Sequence, residues 1–318
     1  MADTVFYAFY EEENANEKVS MISRIDDFFD YKENYTTEYR GETISGAQIS
    51  LKDKYRFLLQ GKITLPTKSP QGTPIVSVGC FNALPGGIGT RLETDPKIQI
   101  AEFYFLDDGT SAYKEISDRA FSASSDTSDS GSLTTAIYLP NTITVIRDNA
   151  FRTMKDLKIV NFNNGIRYIG NAAFWNCRGI ISVGLEELPT DLELLGTSAL
   201  YAAGPGIRAT RLPVALTTLE SYCLSLCENV HISTFGSMTN PIIYMAAAAL
   251  YQSSNNTITD ITIYCTDKAI LPKAFENYNV NVSKLTIYSP TGEQDYSQWL
   301  LNTTTGVAVQ QLPLNAGG

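Results

Sequence analysis

Residues 143–151 read ITVIRDNAF, and residues 166–174 read IRYIGNAAF. Each phrase sets two apolar residues three positions apart, continues through a small or polar stretch, and closes on Ala-Phe. The second phrase begins 23 residues after the first. Self-similarity at such an interval marks an array of stacked units and moves the search for function from a cleft to a surface. The template returns as YKEISDRAF ending at Phe121, LELLGTSAL at Leu200, LTTLESYCL at Leu224, IIYMAAAAL at Leu250 and DKAILPKAF at Phe275. The intervals along the series are 30, 23, 26, 24, 26 and 25 residues. A shortened copy, IVSVGCFNAL, begins at Ile75.

A second element lies between these phrases. LKIVNF at Leu157, IISVGL at Ile180, ITDITI at Ile258 and VSKLTI at Val282 place apolar residues at i, i+3 and i+5. IQIAEFYF repeats the spacing at Ile100, Phe103 and Phe105, and AIYLP ends the same way at Ile137 and Leu139. The i+3 and i+5 positions alternate as a strand does, one side in and one side out. No unit of this length covers its own apolar side, so neighbours must stack and equivalent side chains must form ladders. The core ladder predicted here is Phe121, Phe151, Phe174, Leu200, Leu224, Leu250 and Phe275.

The order L-x-x-I-x-L-P followed by V-x-x-I-G-x-x-A-F-x-x-C resembles the BspA-like leucine-rich repeats. Cys177 and Cys227 fall in the trailing cysteine slot, and Pro140 and Pro213 follow the strand. Residues 59–79, LQGKITLPTKSPQGTPIVSVG, look like an opening repeat. The resemblance spans about residues 58–288. It implies an α/β-type solenoid, strand-rich, with a leucine-rich-repeat array of seven to eight units between non-repeat N-terminal and C-terminal caps. Met245 and Ala246 depart from the usual Ile-Gly, and Asp267 departs from the first apolar slot.

The domain boundaries follow: residues 1–57 as an N-terminal cap or docking region, 58–288 as the array, and 289–318 as a C-terminal cap and arm. Residues 1–57 hold 11 of the 34 aromatic residues, and their 12 acidic against 7 basic side chains carry half of the net charge of −10. Their Tyr and Phe residues either close the open end of the array or anchor a partner. The 30-residue interval arises from the insertion SASSDTSDSGS, residues 122–132. Asp126, Ser128, Ser130 and Gly131 imitate the start of a calcium loop, but Ile137 stands where the bidentate Glu belongs, so the stretch reads as a surface loop.

With a net charge of −10 and no run of Lys and Arg, binding to nucleic acid is disfavoured. MADTVFYAFYEEENANEK lacks the basic start and apolar core of a secretory signal, and no stretch approaches the ~18 apolar residues of a membrane span. Synthesis in the cytoplasm with incorporation into a virion is one expectation; the cell surface is the alternative. Five cysteines are too few for a disulfide scaffold of this length. The one histidine, His231, has no nucleophile motif to serve, and PGGIG at 85–89 lacks the context of a phosphate loop. Cys223 and Cys227 have no second ligand pair, and Glu186 and Glu187 read as a solvated edge. No enzymatic activity, metal or cofactor is expected.

If i+3 and i+5 point inward, the residue between them points out on every unit. That hypothetical binding column reads Tyr104, Tyr138, Asn161, Gly184, Arg211, Thr234, Thr262 and Thr286. Two functional readings follow. The first is a structural or host-contacting component of a phage virion, with protein partners in a larger assembly. The second, which the resemblance implies, is a secreted or cell-surface adhesin that binds host protein or glycan. A homo-oligomer is compatible with both, and neither requires membrane insertion.

Overall fold

The computed structural model describes residues 28–52, 59–80, 99–106, 109–122, 133–251, 258–270, 283–293 and 308–314. Phe275, the PGGIG stretch at 85–89 and residues 123–132 of the insertion lie outside the described residues.

The strands run along two flanks. On the first flank, β1 (Phe29–Tyr39) and β2 (Glu42–Leu51) form an antiparallel hairpin. Parallel pairing then continues through β4 (Ile75–Val78), β6 (Glu115–Ile116), β8 (Val145–Ile146), β10 (Tyr168–Ile169) and β11 (Leu194–Leu195). On the second flank, β3 (Gln60–Leu65), β5 (Gln99–Phe105), β7 (Ala136–Tyr138) and β9 (Ile159–Val160) form a parallel sheet. A two-stranded sheet of β12 (Arg208–Ala209) and β14 (Asn229–Val230) follows. The last sheet orders β13 (Thr218–Leu219), β16 (Ile242–Met245), β17 (Asp260–Ile270), β18 (Lys284–Ser289) and β19 (Ala308–Pro313), with β15 (Thr234–Phe235) also on β17. Each unit thus gives one short strand to each flank, and parallel pairing follows because every unit crosses in the same direction.

The apolar slots named by the repeat converge on one core. Leu157, Val160, Ile180, Val183, Ile261 and Ile263 are buried in it. Phe121, Phe151, Phe174, Leu200, Leu224 and Leu250 are at most 1% exposed. The Phe121 and Phe151 rings stack at 5.3 Å, and those of Phe151 and Phe174 at 4.7 Å.

The expected α/β class is corrected. The described residues are strand-rich and contain no α-helix. The reason lies in the segments around the Ala-Phe phrase. Arg119, Asn149, Ala172, Ser198, Tyr222 and Ala248 have positive φ, as do Thr153, Asn176, Ala202 and Leu226. These residues turn the peptide planes so that N–H groups face the next unit instead of a carbonyl four residues back. Asn149 N–H donates to Asn171, Phe151 to Ala173 and Thr153 to Trp175. The same three bonds recur from Ala172, Phe174 and Asn176 to Thr197, Ala199 and Tyr201. Three columns of peptide hydrogen bonds therefore cross the units through these segments, with donor–acceptor distances of 2.8 Å in these examples.

The Ile-Gly pattern has a local cause. A Cβ on Gly170 would lie 2.4 Å from Asp148 Oδ1, and one on Gly196 would lie 2.7 Å from Asn171 Oδ1. Asp148 Oδ1 accepts from the Asn171 N–H at 2.7 Å, and Asn171 Oδ1 from the Thr197 N–H at 2.8 Å. The Asp148 and Asn171 side chains thus occupy the space that a Cβ at position 170 or 196 would need. Ser221 stands in that slot before Ala246, so the shorter side chain accompanies the departure from Gly.

Candidate functional site

The second flank carries the candidate surface. In β5 and β7, Phe103 and Ile137 fill the core, which turns Tyr104 and Tyr138 outward as register partners. Their rings stack at 4.6 Å with planes 17° apart. Lys62 of β3 lies 5.7 Å from the Tyr104 ring centre and pairs with Glu102 at 3.2 Å. Tyr104 donates its hydroxyl to Glu102 at 2.5 Å. That hydrogen bond raises the Tyr104 phenol above its ordinary value, and it is the largest influence holding the Glu102 carboxyl below its own. The result is a fixed, partly exposed aromatic pair with one cation and one anion at its border.

The rest of the predicted column divides. Asn161 is half-buried and clamps the neighbouring backbone: its Oδ1 accepts from Leu139 N–H at 2.6 Å, and its amide donates to Leu139 O at 2.9 Å. Gly184 is exposed. Arg211 is exposed but lies beyond the strand, because Ala209, paired with Val230, fills the inward position and shifts the register by one. Thr234 and Thr262 are register partners on β15 and β17. Thr286 is a correction: it is 8% exposed, with Thr262 of β17 and Gln310 of β19 as its register partners. A second stacked pair, Tyr264 and Tyr288 at 4.7 Å, stands two residues along the same strands and was not part of the predicted column.

The hairpin of β1 and β2 was legible only as an aromatic-rich end. It covers the outer face of the first flank, where Tyr35 and Ile44 meet Val76, Val145 and Tyr168. Arg40 and Gly41, at φ 48° and 85°, make its two-residue turn, a conformation that favours Gly. Beneath it Glu115 is 0% exposed and accepts from Ser77 Oγ at 2.7 Å, from Arg147 Nε at 2.7 Å and from the Tyr35 hydroxyl. Arg147 also donates to Thr37 at 2.9 Å and lies over the Tyr39 ring.

The other chemistry candidates serve the stacking. Glu186 pairs with Arg208 at 3.0 Å, and Glu187 accepts from the Thr210 N–H at 2.7 Å. The Cys177 thiol donates to Phe151 O at 2.9 Å, and that of Cys227 to Leu200 O at 3.1 Å. Burial pushes both thiols up to about 12. His231 donates its backbone N–H to Ala209 O at 2.7 Å. No group of three or more metal-capable side chains occurs among the described residues.

A stacked repeat with a patterned flank places the chain among the extended repeat scaffolds. The model of the BspA type leucine rich repeat region matches residues 114–240 and 187–283 in six copies, and the chain belongs to that family. Leucine-rich-repeat regions are typically non-catalytic scaffolds that bind through their repeat surface, and the matched residues have that architecture. No curated protein matches it. Among solved structures, it is similar to a leucine rich cell surface protein from Faecalibacterium prausnitzii A2-165, at 12% identity over 86% of each chain and a TM-score of 0.34. A leucine-rich repeat protein from Bacteroides ovatus ATCC 8483 shares 15% identity over 87% of this chain and 75% of its own, with a TM-score of 0.34. The pneumococcal vaccine antigen PcpA shares 13% identity over 88% and 99%, with a TM-score of 0.23.

Proposed function

We propose that the chain is an adhesion module that holds a protein partner against its second flank. The observation that carries this reading is the stacked Tyr104–Tyr138 pair, bordered by Lys62 and Glu102. Rigid aromatics offer large contact area at small entropic cost, and a charged border orients a partner, which is the composition of an interface hot spot. Nothing in the family match supports the virion reading, and the adhesin alternative replaces it. The partner class is a host-surface or matrix protein. The β1–β2 hairpin acts as a cover for the first flank, which leaves the second as the contact face. The test is solid-phase binding to fibronectin, laminin and collagen by the wild type and by Tyr104→Ala/Tyr138→Ala. A ligand bound by the wild type and lost at least tenfold by the double variant supports the reading; equal binding by both refutes it.

A further inference from the structure

The turn edge carries a second aromatic row, and it uses none of the flank residues. Arg152, Trp175, Tyr201 and Tyr251 each follow directly on a core-ladder residue. Where the fourth unit has Ser225 in that slot, Tyr222 fills the gap from two positions before Leu224. The Arg152 guanidinium lies 4.6 Å from the Trp175 ring centre. From there the ring centres step 6.1 Å to Tyr201, 6.2 Å to Tyr222 and 6.4 Å to Tyr251. All five side chains are at least partly exposed, Tyr222 at 43%. The row is continuous across five units and lies where each unit is tied to the next by peptide hydrogen bonds.

From this geometry we infer that the row is a platform for an extended, uncharged polysaccharide. Ring faces and edges at a near-constant step accept the C–H faces of successive sugar rings. The indole N–H and three phenol hydroxyls supply hydrogen-bonding groups between them. Apart from Arg152 at one end, the row has no ionised group, so it does not select an anion. An extended peptide fits less well, because such a ligand takes its affinity from main-chain hydrogen bonds. Here those groups are already used. The N–H groups of Trp175 and Tyr201 donate to Ala172 O and Ser198 O, and their carbonyls accept from Thr153 and Asn176. Side chains alone face the ligand, which suits a sugar chain.

The experiment is affinity electrophoresis of the full chain through gels containing barley β-glucan, xylan, galactomannan or chondroitin sulfate. It compares the wild type, Tyr201→Ala/Tyr222→Ala, Tyr201→Phe/Tyr222→Phe and Tyr104→Ala/Tyr138→Ala, with circular dichroism to confirm folding. The expected result is retardation by at least one neutral polysaccharide. The turn-edge alanine pair should weaken it fivefold or more, the phenylalanine pair less, and the flank pair not at all. Trp175→Phe, which keeps a ring, is the check if the alanine pair fails to fold, and it should weaken retardation. The inference is overturned by no retardation on the neutral gels, by retardation on chondroitin sulfate alone, or by retardation that the turn-edge variants leave unchanged. It is equally overturned if those variants abolish binding to an extended peptide library instead. Because the flank pair is the internal control, failure here and failure of the proposed protein contact give different patterns.

Discussion

Phe174→Ala tests the stacking directly. The ring is 0% exposed, stacks on Phe151 at 4.7 Å with planes 10° apart, and meets the edge of Phe162 at 5.4 Å. Burying such a side chain contributes about 1.5–3 kcal/mol, and each ring pair adds ~0.5–1.5 kcal/mol. The expected loss is about 3–5 kcal/mol, in line with large aromatic deletions elsewhere. Urea unfolding followed by both tryptophan fluorescence and far-ultraviolet circular dichroism would measure it. Phe174→Leu is the companion, because Leu200, Leu224 and Leu250 occupy the same slot. A swap that preserves most of the volume should cost under ~1.5 kcal/mol. A loss below ~1 kcal/mol for the alanine variant, or equal losses for both, would refute the argument.

Arg147→Met should cost about 3–5 kcal/mol in the same assay, because it strands the buried Glu115 carboxylate; adding Glu115→Met should recover part of the loss. Ala172→Gly should stabilise by up to ~1 kcal/mol, since an L residue at φ 51° is strained and glycine is not, and a clear loss would contradict that backbone. The folded-state thiol of Cys177 is raised from 9.0 to about 12 by burial, so its contribution to stability is complete below pH 9 and falls as the pH rises toward 12. Wild type should therefore lose more stability over that range than Cys177→Ala, measured as the difference in unfolding midpoint. At pH 8 the native protein should leave Cys177 and Cys227 unmodified by iodoacetamide, as mass spectrometry would show.

The period, the core slots and the family could be read from the residues because stacking forces each unit to spend the same side chain on the same contact. Phe151 and Phe174 announce themselves in this way. The absence of helix could not be read. Ala172, Ser198 and Ala248 look compatible with a helix, and only the lateral bonds to the next unit require their positive φ. Arg211 was misplaced because the strand register is set by Ala209, a residue too small to signal an inward position. Thr286 was read as open because the array was ended at residue 288, whereas β19 places Gln310 beside it. The turn-edge row left a trace, an Arg, Trp or Tyr after the ladder residue in four units. Ser225 interrupts it in sequence, and Tyr222 repairs it only in space.

The three lateral columns have a direction of their own. Each participating peptide presents its carbonyl to the preceding unit and its N–H to the following one. The small bond dipoles therefore add along the stack, as they do along a helix axis, with partial positive charge toward the C-terminal units. The sense is opposite to that of a helix relative to the chain. A unit inserted or lost between Phe151 and Leu224 would leave every donor facing an acceptor, so length can change by duplication without redesign of the joints. The flank strands run the other way: Arg147 N–H donates back to Ile116 O and Gly170 N–H to Ile146 O, so the two sets of bond dipoles oppose each other across every unit.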